Sequence, residues 1–592
     1  MPAYTAPLED MRFVVHELLA DERLQSLPGN EEFSADVLDA VLEEAARFCA
    51  SVLQPLNRSG DEQGCLFENG VVRTPDGFKD AYREFAAGGW TGLAADNDYG
   101  GQGLPETMDA LVNEMLCASN LSFAIYPGLS HGAYRLIRRY ASEAQRNAWL
   151  PPLVEGRWSG TMCLTEPQCG TDLGLIRTHA TPRGDDVFAL NGAKCFISAG
   201  EHDLTENILH LVLARTPDAP PGTGGLSVFL VPKFTINADG TLGPRNGITC
   251  GNIEHKMGLN ASATCTLNFD DAQGFLVGGL HQGMRVMFTM MNGARLAVAL
   301  HGIGIAEAAY QGAVAYARER RQGRALDGPR SPEQAADSIL VHPDVRRMLL
   351  GMRSQIEGAR ALSTWVAARY VHAQRNPDAQ ARDDAHDLVS LLTPILKAYC
   401  TDMGSEAANL GVQIYGGHGY IREHGMEQLV RDARVCQIYE GANGVQAMDL
   451  VGRKLPAHAG RYLRRFFQPV AAFIADNSDN GDLTEFVAPL SEAFALLQKA
   501  TRWIAENGTR DPNEAGAAAS EYLRLFALVA MAFMWARMAR IALASESKNK
   551  FYRGKLATAR FYMQRVLPQT ASLYACIVAG GSSIADFEDE AF

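Results

Sequence analysis

The sequence predicts a mainly helical protein with a central antiparallel β domain, on two observations. Apolar residues recur at helical spacing in the first quarter of the chain, and this periodicity returns near residue 283 and persists to residue 592. The intervening region instead holds short β-rich runs separated by Gly, Pro, Asn and Asp turns, at residues 188–190, 210–214, 226–232 and 264–269. Because 592 residues exceed what one hydrophobic core usually organises, we expect several domains.

In chain order, the pattern divides the sequence into five segments. The first long amphipathic helix begins near Ser34, with Ser34 or Asp36 as its cap. The most apolar helical run, residues 525–535, stops at Arg537 and predicts a buried helix. The predicted segments are a leader (1–33), an N-terminal α domain (34–158), a middle β domain (159–280), a second α domain (281–452) and a further helical segment (453–592).

Composition excludes several classes of protein. The 54 basic and 68 acidic residues give a formal net charge of −14, which disfavours nucleic-acid binding. The 11 cysteines stand singly, without a CxxC pair, and indicate a reducing compartment rather than a disulfide framework or a metal site. The first residues lack a basic region followed by an apolar run, and no uncharged apolar stretch reaches about 18 residues. We therefore expect a cytoplasmic protein without a transmembrane segment.

The strongest candidate for chemistry lies in residues 413–446, which contain two glycine-rich turns. Between the turns, apolar residues at helical spacing predict a helix over 426–437. Glu440 follows that helix, between Tyr439 and Gly441, and is a candidate base at the edge of a pocket. The alternative is a solvated carboxylate at the end of a helix.

Four other stretches carry weaker signals, each with a plain alternative. CLTEPQCGTD (163–172) offers donors to a polar ring or phosphate, or is an ordinary loop. Phe196-Ile197-Ser198 can stack on and hydrogen-bond a flat heterocycle, or is a core strand. Arg320 can reach a phosphate, or complements the dipole of a helix C-terminus. Arg295, in MNGARL, can face the carboxylate region, or is a surface arginine. No Rossmann or Walker motif is present.

Together these blocks resemble the acyl-CoA dehydrogenases. CLTEPQCGTD resembles the first signature of that family, and QIYGGHGY followed by RDAR and IYEG resembles the second, over roughly residues 40–455. The blocks HKMG, MNGARL and GVQAMDLVGRK resemble a subgroup of long members with an added helical C-terminal domain, which includes fatty acyl-CoA and 3-methylmercaptopropionyl-CoA dehydrogenases. The resemblance implies an N-terminal α domain, a middle β domain, a C-terminal four-helix domain and the added helical domain.

The resemblance also implies the reaction, which is FAD-dependent α,β-dehydrogenation of an acyl-CoA to the trans-2-enoyl-CoA. Glu440 matches the family's base, which takes the α-proton while the β-hydride goes to flavin N5. The backbone N–H of that Glu and a flavin ribityl hydroxyl stabilise the enolate oxygen. Glu166, although within a motif, matches a turn residue rather than the base.

Further contacts are implied position by position. The implied substrate contacts are Thr171, Asn292, Arg295, Tyr439 and Gly441. The implied FAD contacts are Leu164, Thr165, Gly170, Thr171, Phe196, Ser198, Arg320, Gln322, Gln413 and Gly417. Because the last four reach the FAD of a neighbouring subunit in the family, we expect a homo-oligomer, a dimer rather than a tetramer.

The resemblance leaves the substrate and the electron acceptor open. We expect a medium- or long-chain fatty acyl-CoA of β-oxidation, with 3-methylmercaptopropionyl-CoA as the alternative, and an electron-transfer flavoprotein as acceptor. An acyl-CoA oxidase, which would pass electrons to oxygen, and a non-catalytic acyl-CoA-binding protein also stay open. The chain leaves the family pattern at Gly323-Arg324, where Phe-Gly is usual, and at Ala442, where Thr is usual.

Overall fold

The computed structural model describes residues 4–184, 186–237, 239–545 and 549–592. Its α-helices are α1 (Leu8–Arg12), α2 (Ala35–Phe48), α3 (Gln54–Gln63), α4 (Phe78–Ala87), α5 (Glu106–Tyr140), α6 (Glu143–Val154), α7 (Gly283–Glu319), α8 (Pro343–Arg375), α9 (Ala379–Tyr415), α10 (Met426–Cys436), α11 (Asn443–Asp449), α12 (Arg461–Asp476), α13 (Thr484–Arg510), α14 (Pro512–Ala544), α15 (Lys550–Phe561), α16 (Gln569–Val578) and α17 (Ser582–Ala585). Its strands are β1 (Leu66–Glu68), β2 (Val71–Arg73), β3 (Trp158–Cys163), β4 (His179–Gly184), β5 (Val187–Ser198), β6 (Asn207–Arg215), β7 (Leu226–Pro232), β8 (Phe234–Ile236), β9 (Leu242–Arg245), β10 (Ile248–Ile253) and β11 (Thr264–Val277).

The chain forms two compact units. The helical unit comprises Met1–Ala46, Pro105–Ala118 and Val298–Phe592, and the sheet unit comprises Arg47–Leu104 and Ser119–Ala297. The chain passes between them within α2, just before α5, and within α5 and α7. In α5 this passage coincides with Asn120, whose φ of −160° and ψ of 89° are not helical.

The sheet unit contains the predicted β domain. Seven strands pair in the order β10-β11-β5-β4-β6-β3, with β7 on β11 and β6. The pairing is antiparallel except that β6 runs parallel to β3 and meets β4 in one parallel pair; β6 pairs antiparallel with β7. This parallel pairing departs from the predicted antiparallel sheet. The segment from β3 to β6 carries β4 and β5 and is long enough for the return that parallel pairing needs.

Alternation along the strands buries both faces of this sheet. On β6, Leu209, Leu211 and Leu213 join one apolar cluster, and Val212 and Ala214 join the other. The side-chain period of two in a strand sends successive residues to opposite faces. The sheet is therefore a rigid, two-sided scaffold for its loops.

The helical unit is organised around a buried helix. α14 contains the predicted apolar run, and 89% of its most apolar window, with a mean hydropathy of 1.6, is buried inside the protein. The Trp535 indole N–H donates to the Ser354 carbonyl of α8 at 2.9 Å. α7 also meets the length and hydropathy expected of a membrane span, with half of its window buried. For α14 the burial identifies a core helix.

A buried cluster of charges connects distant segments of this unit. The Arg360 guanidinium of α8 contacts Asp10 at 2.5 Å, Glu114 at 2.5 Å and Glu307 at 2.6 Å. Lys555 of α15 also contacts Asp10. Buried charges need such pairing, because an isolated ion in the interior loses its hydration without compensation.

The fold class is as predicted, helical with a central β domain and an added helical C-terminal part. The first long helix begins as expected, because the Ser34 hydroxyl accepts from the Val37 N–H at 3.3 Å and so acts as its cap. The limits of the five predicted segments stay predictions, because the two compact units follow packing rather than those limits.

Candidate active site

Glu440 lies in a strained turn between α10 and α11. Its φ is +55°, in the left-handed region, and Gly441 follows at +93°. A residue with a Cβ in this region costs free energy and persists only where its surroundings hold it, as happens at functional sites. The Glu440 side chain is half-buried.

Asn443 fixes this turn to α9. Its Oδ1 accepts from Lys397 Nζ at 2.8 Å, and its Nδ2 donates to Asp402 Oδ1 at 2.7 Å and to the Ala398 carbonyl at 3.1 Å. Gln437, before the turn, donates to the same Asp402 oxygen at 2.7 Å. Both ends of the turn are therefore fastened to one rigid helix.

Tyr439 is held by a neutral histidine. Its hydroxyl lies 2.6 Å from His301 Nδ1. Burial, with a contribution from Lys397, lowers the pKa of His301 to about 3, and burial raises the pKa of Tyr439 well above its usual value. Tyr439 therefore donates and His301 accepts, so the tyrosine ring is fixed beside Glu440 without a charge.

In the sheet unit, residues 164–171 form a loop after β3. Leu164 is buried, Thr165 is half-buried, and Gly170 and Thr171 are exposed. The Thr165 carbonyl accepts from the Cys195 N–H of β5 at 2.9 Å. The loop is therefore joined directly to the strand that carries Phe196 and Ser198.

Phe196 is presented by a β-bulge. Cys265 pairs with Ile197 and Leu267 with Lys194, so two β5 residues oppose one on β11. Phe196, one of those two, has a φ of +57° and is 64% exposed. The core-strand alternative for Phe196 is wrong. An aromatic face open to solvent, with the Ser198 hydroxyl two residues on, fits a flat heterocycle such as the flavin of FAD.

Arg295 is buried rather than superficial, so the surface-arginine alternative is wrong. Its side chain lies in α7 and is 5% exposed, with Nη1 3.4 Å from Asn292 Oδ1 and the guanidinium 5.7 Å from the centre of the Phe288 ring. The two predicted substrate residues of this helix are therefore neighbours on one face.

Arg320 and Gln322 follow the end of α7, and both are exposed. Their loop folds around Asp337, which accepts from the N–H groups of Ala325, Arg330 and Ser331. Burial opposes ionisation of Asp337, but these bonds lower its pKa to about 2. Arg324, a departure from the family pattern, donates to Asp337 at 3.3 Å and so belongs to this scaffold.

Gln413 and Gly417 flank the end of α9 and are exposed. Gly416 between them has a φ of +59°, a conformation that glycine adopts without strain. Nearby, the rings of Tyr316 and Tyr415 stack with their centres 4.2 Å apart. The turn at Gly416 therefore directly follows one ring of a stacked aromatic pair.

The structure gathers the predicted residues into local groups. Tyr439, Glu440 and Gly441 form one group in the helical unit, and the 164–171 loop with Phe196 and Ser198 forms one in the sheet unit. Sequence reasoning missed the residues that hold these groups, which are His301, Lys397, Asp402, Asn443 and Lys194. Of these, only Asn443 carried a signal, because it stands within the EGANG turn.

Comparison with known proteins agrees with this arrangement. Four family models match in order, the acyl-CoA dehydrogenase N-terminal domain at 36–157, middle domain at 161–272 and C-terminal domain at 281–455, and an acetyl-CoA dehydrogenase C-terminal-like domain at 466–588. The 3-methylmercaptopropionyl-CoA dehydrogenase of Ruegeria pomeroyi is 41% identical over 98% of this chain and 99% of its own length. The chain belongs to the acyl-CoA dehydrogenase family.

Other relatives match along most of their own lengths. A butyryl-CoA dehydrogenase of Syntrophomonas wolfei is 34% identical over 100% of this chain and 99% of its own. The structure of butyryl-CoA dehydrogenase from Megasphaera elsdenii is 28% identical, with a TM-score of 0.58 over 71% of this chain and 98% of that one. An acyl-CoA dehydrogenase from Bacillus anthracis has the same fold, with a TM-score of 0.76 over 96% of this chain and 91% of that one at 19% identity.

Family membership makes this acyl-CoA dehydrogenase a flavoprotein oxidoreductase that acts on acyl-CoA substrates with FAD as cofactor. The residues described above fit that cofactor, because the exposed Phe196 and the open Gly170 turn offer a flat face and a close backbone approach. The individual site residues stay predictions.

Proposed function

We propose that this acyl-CoA dehydrogenase oxidises a short linear acyl-CoA thioester, with Glu440 as the base that removes the α-proton. 3-Methylmercaptopropionyl-CoA is the first candidate substrate and butyryl-CoA the second. The relatives named for these activities support this choice, since they match the chain over nearly its full length at 41% and 34% identity. The medium- or long-chain expectation stays a prediction. A broad-specificity linear acyl-CoA dehydrogenase of Mycobacterium tuberculosis, 30% identical over 100% of the chain, supports longer linear chains as the alternative to a short one.

The observation that carries the assignment is the Glu440 turn. A glutamate in a left-handed conformation, in a turn anchored through Asn443 to α9, has a backbone whose position is fixed before substrate arrives. Such positioning lowers the entropic part of the barrier to proton transfer. Tyr439, held by His301 of α7, is a second anchor of the same turn.

The proposed reaction follows from these groups. The carboxylate of Glu440 takes the α-proton of the thioester, and the backbone N–H of Glu440 donates to the thioester carbonyl, whose oxygen gains charge as the proton leaves. Bound FAD supplies the acceptor for the β-hydride. The buried Arg295 and its neighbour Asn292 contribute to substrate placement, together with Thr171, Tyr439 and Gly441. The double bond forms between the α- and β-carbons, and Glu440 ends the step protonated.

The remaining FAD contacts are proposed at Leu164, Thr165, Gly170, Thr171, Phe196 and Ser198 of one subunit, with Arg320, Gln322, Gln413 and Gly417 of a neighbour. Exposure of the last four supports a role at a surface between copies of the chain. A homodimer is therefore proposed, and light scattering of the purified holoenzyme measures it.

An electron-transfer flavoprotein is the proposed acceptor. A chain in the structure of an electron transferring flavoprotein of Acidaminococcus fermentans is similar to this one, at 27% identity and a TM-score of 0.59, which supports that partner. A cytoplasmic location is also proposed, and the free thiols at all eleven cysteines support a reducing compartment.

A panel of acyl-CoA thioesters tests the substrate proposal. Each thioester is mixed anaerobically with the holoenzyme, and loss of the oxidised flavin absorbance gives the rate of reduction. We expect 3-methylmercaptopropionyl-CoA and butyryl-CoA to give the fastest flavin reduction at equal concentration. A maximum at medium or long chains would contradict the short-chain proposal and favour the medium- or long-chain alternative.

The base is tested by Glu440→Gln, which keeps the size of the side chain but removes its proton acceptor. The variant is expected to retain the yellow flavin and to lose reduction by a factor of about 10² to 10⁴. Glu423→Gln is the matched control, since it changes an exposed carboxylate of the same stretch. Flavin reduction at the wild-type rate in Glu440→Gln would refute the assignment.

A further inference from the structure

Glu166 stands in the first signature motif, but the proposed reaction gives it no role. Its side chain is 4% exposed, and both carboxylate oxygens are fully engaged. Oε1 accepts from the Thr178 N–H at 3.0 Å, the Thr178 hydroxyl at 2.6 Å and Lys194 Nζ at 2.8 Å. Oε2 accepts from the Arg177 N–H at 2.8 Å and Gln168 Nε2 at 2.6 Å. The residues that follow Glu166 therefore wrap around its carboxylate.

Lys194 connects this carboxylate to β5. Its side chain is completely buried, and Nζ donates to the Leu164 carbonyl at 3.0 Å as well as to Glu166. Lys194 lies on β5, beside the bulge that exposes Phe196. One ammonium group thus holds the beginning of the 164–171 loop and the strand that presents Phe196.

Glu166 is held as the ionised carboxylate, while burial lowers the pKa of Lys194 and the carboxylate opposes that fall. Burial alone would raise the pKa of Glu166, but the ammonium of Lys194 and the hydrogen bonds from Thr178 and Arg177 lower it to about 2. A charged pair with this many hydrogen bonds has a single good geometry, because any movement leaves a buried ion without compensation.

We propose that the Glu166–Lys194 pair is the positioning element of the flavin site, which sets the 164–171 loop and the Phe196–Ser198 segment at the separation that the FAD ring requires. This inference rests on the proposed assignment of those two segments to FAD. The pair acts through the backbone of Leu164 and through β5, not by touching the cofactor. Removing either charge should therefore alter flavin binding as well as stability.

The test compares this pair with a second buried pair of the same unit, Lys233 with Glu201. Lys194→Met and Glu166→Gln remove one charge each, and Lys233→Met removes the corresponding charge of the control pair. Each holoenzyme is diluted, and flavin released is followed by its fluorescence, with the visible flavin spectrum and the melting temperature recorded in parallel.

We expect Lys194→Met and Glu166→Gln to weaken FAD binding by about tenfold or more and to change the shape of the bound flavin spectrum. Lys233→Met should lower the melting temperature but leave FAD affinity within about twofold of wild type. Equal loss of FAD affinity in Lys233→Met, or normal affinity and spectrum in Lys194→Met, would overturn the inference.

Two further variants keep the test decisive if a single change prevents folding. The double variant Glu166→Gln with Lys194→Met removes both charges at nearly constant volume, and Thr178→Val removes only the hydroxyl that donates to Glu166. Both are expected to weaken FAD binding, Thr178→Val the least. Wild-type affinity in whichever of them folds would overturn the inference.

Phe196→Ala distinguishes this inference from the assignment on which it rests. If Phe196→Ala binds FAD normally, the proposed flavin segments are wrong. If Phe196→Ala loses FAD while the variants of the ion pair retain it, the flavin segments stand and only the positioning role fails.

Discussion

Glu166 and Glu440 both stand in signature motifs, yet their surroundings differ. Glu166 is buried, ionised and bonded on both oxygens, whereas Glu440 is half-buried in a left-handed turn. In the first, hydrogen bonds hold the side chain; in the second, the hydrogen bonds of Asn443 hold the backbone. A carboxylate whose oxygens are committed to a buried cation cannot accept a proton at neutral pH, which excludes Glu166 as the base.

The two glutamates also affect the free energy of the folded protein in different ways. In the Glu166–Lys194 pair, the attraction between the two charges offsets the cost of burying them. Removing one charge therefore lowers the stability of the fold first. The Glu440 turn has a strained backbone that neighbouring groups must stabilise. Removing those groups therefore changes the position of Glu440 first. Three variants test this contrast, in order of decreasing effect.

The contrast is sharpest at Asn443, which anchors the Glu440 backbone. Asn443→Ala should slow flavin reduction by about 10- to 100-fold, because small displacements of a reacting group are costly. It should also lower the free energy of unfolding by about 1–3 kcal/mol, since the buried Lys397 and the half-buried Asp402 each lose a hydrogen bond. Single-turnover reduction at saturating acyl-CoA and chemical denaturation measure the two effects.

Asn409→Ala provides the control for this change. Its side chain lies on the same helix, is exposed, and donates only within α9, to Ser405 at 2.8 Å, among the bonds described. Both quantities should stay near wild type. If Asn443→Ala lost stability but reduced flavin at the wild-type rate, the anchor would serve folding alone.

The ionised state of Glu166 predicts a dependence of stability on pH. Its pKa is about 2 in the folded chain against an ordinary value of 4.5, so the folded state binds this proton less readily than the unfolded state. The stabilisation is therefore complete above about pH 4.5 and is lost as the pH falls from 4.5 toward 2. The difference in unfolding free energy between wild type and Glu166→Gln should shrink over that window.

Glu423→Gln is the control here too, because an exposed carboxylate should give a small difference at every pH. Denaturant titrations between pH 6 and pH 3 give both series. A difference between wild type and Glu166→Gln that stayed constant below pH 4.5 would mean that the carboxylate is not held as an ion.

The smallest effect is expected at Ala442, where the chain departs from its family. Ala442 is the N-cap of α11, with a φ of −51° and a ψ of 152° and no side-chain cap bond. Ala442→Thr should supply that bond and stabilise the protein by about 0.5–1 kcal/mol. Ala442→Val, with the same shape and no hydroxyl, should not. If the two variants had equal melting temperatures, a cap hydrogen bond would be excluded as the cause of any stabilisation in Ala442→Thr.

Much of the fold could be predicted from local patterns. The β-rich runs appear as strands, the helix over 426–437 ends one residue earlier, at Cys436, and Ser34 caps its helix. Each of these depends on neighbours in sequence, which periodicity and capping preferences report directly.

The residues that hold the site groups in place could not be predicted, because they depend on strand register and on partners that are distant in sequence. Phe196 is exposed only because β5 has an extra residue against β11, and no property of Phe196 itself signals a bulge. Lys194 and Glu166 are 28 residues apart, and Asn443 and Lys397 are 46 apart. From the sequence alone, a lysine that is buried against a distant partner cannot be distinguished from an exposed lysine.

The buried charge cluster of the helical unit also constrains how the protein is made. Arg537 donates to the Leu18 carbonyl across 519 positions, and Lys555 meets Asp10 across 545. At about 5–20 residues per second, a ribosome needs on the order of half a minute or more to complete the 592 residues. Asp10, which is made early, and Arg360, which is made later, both lack Lys555 until α15 has been synthesised, so the buried cluster is complete only near the end of synthesis.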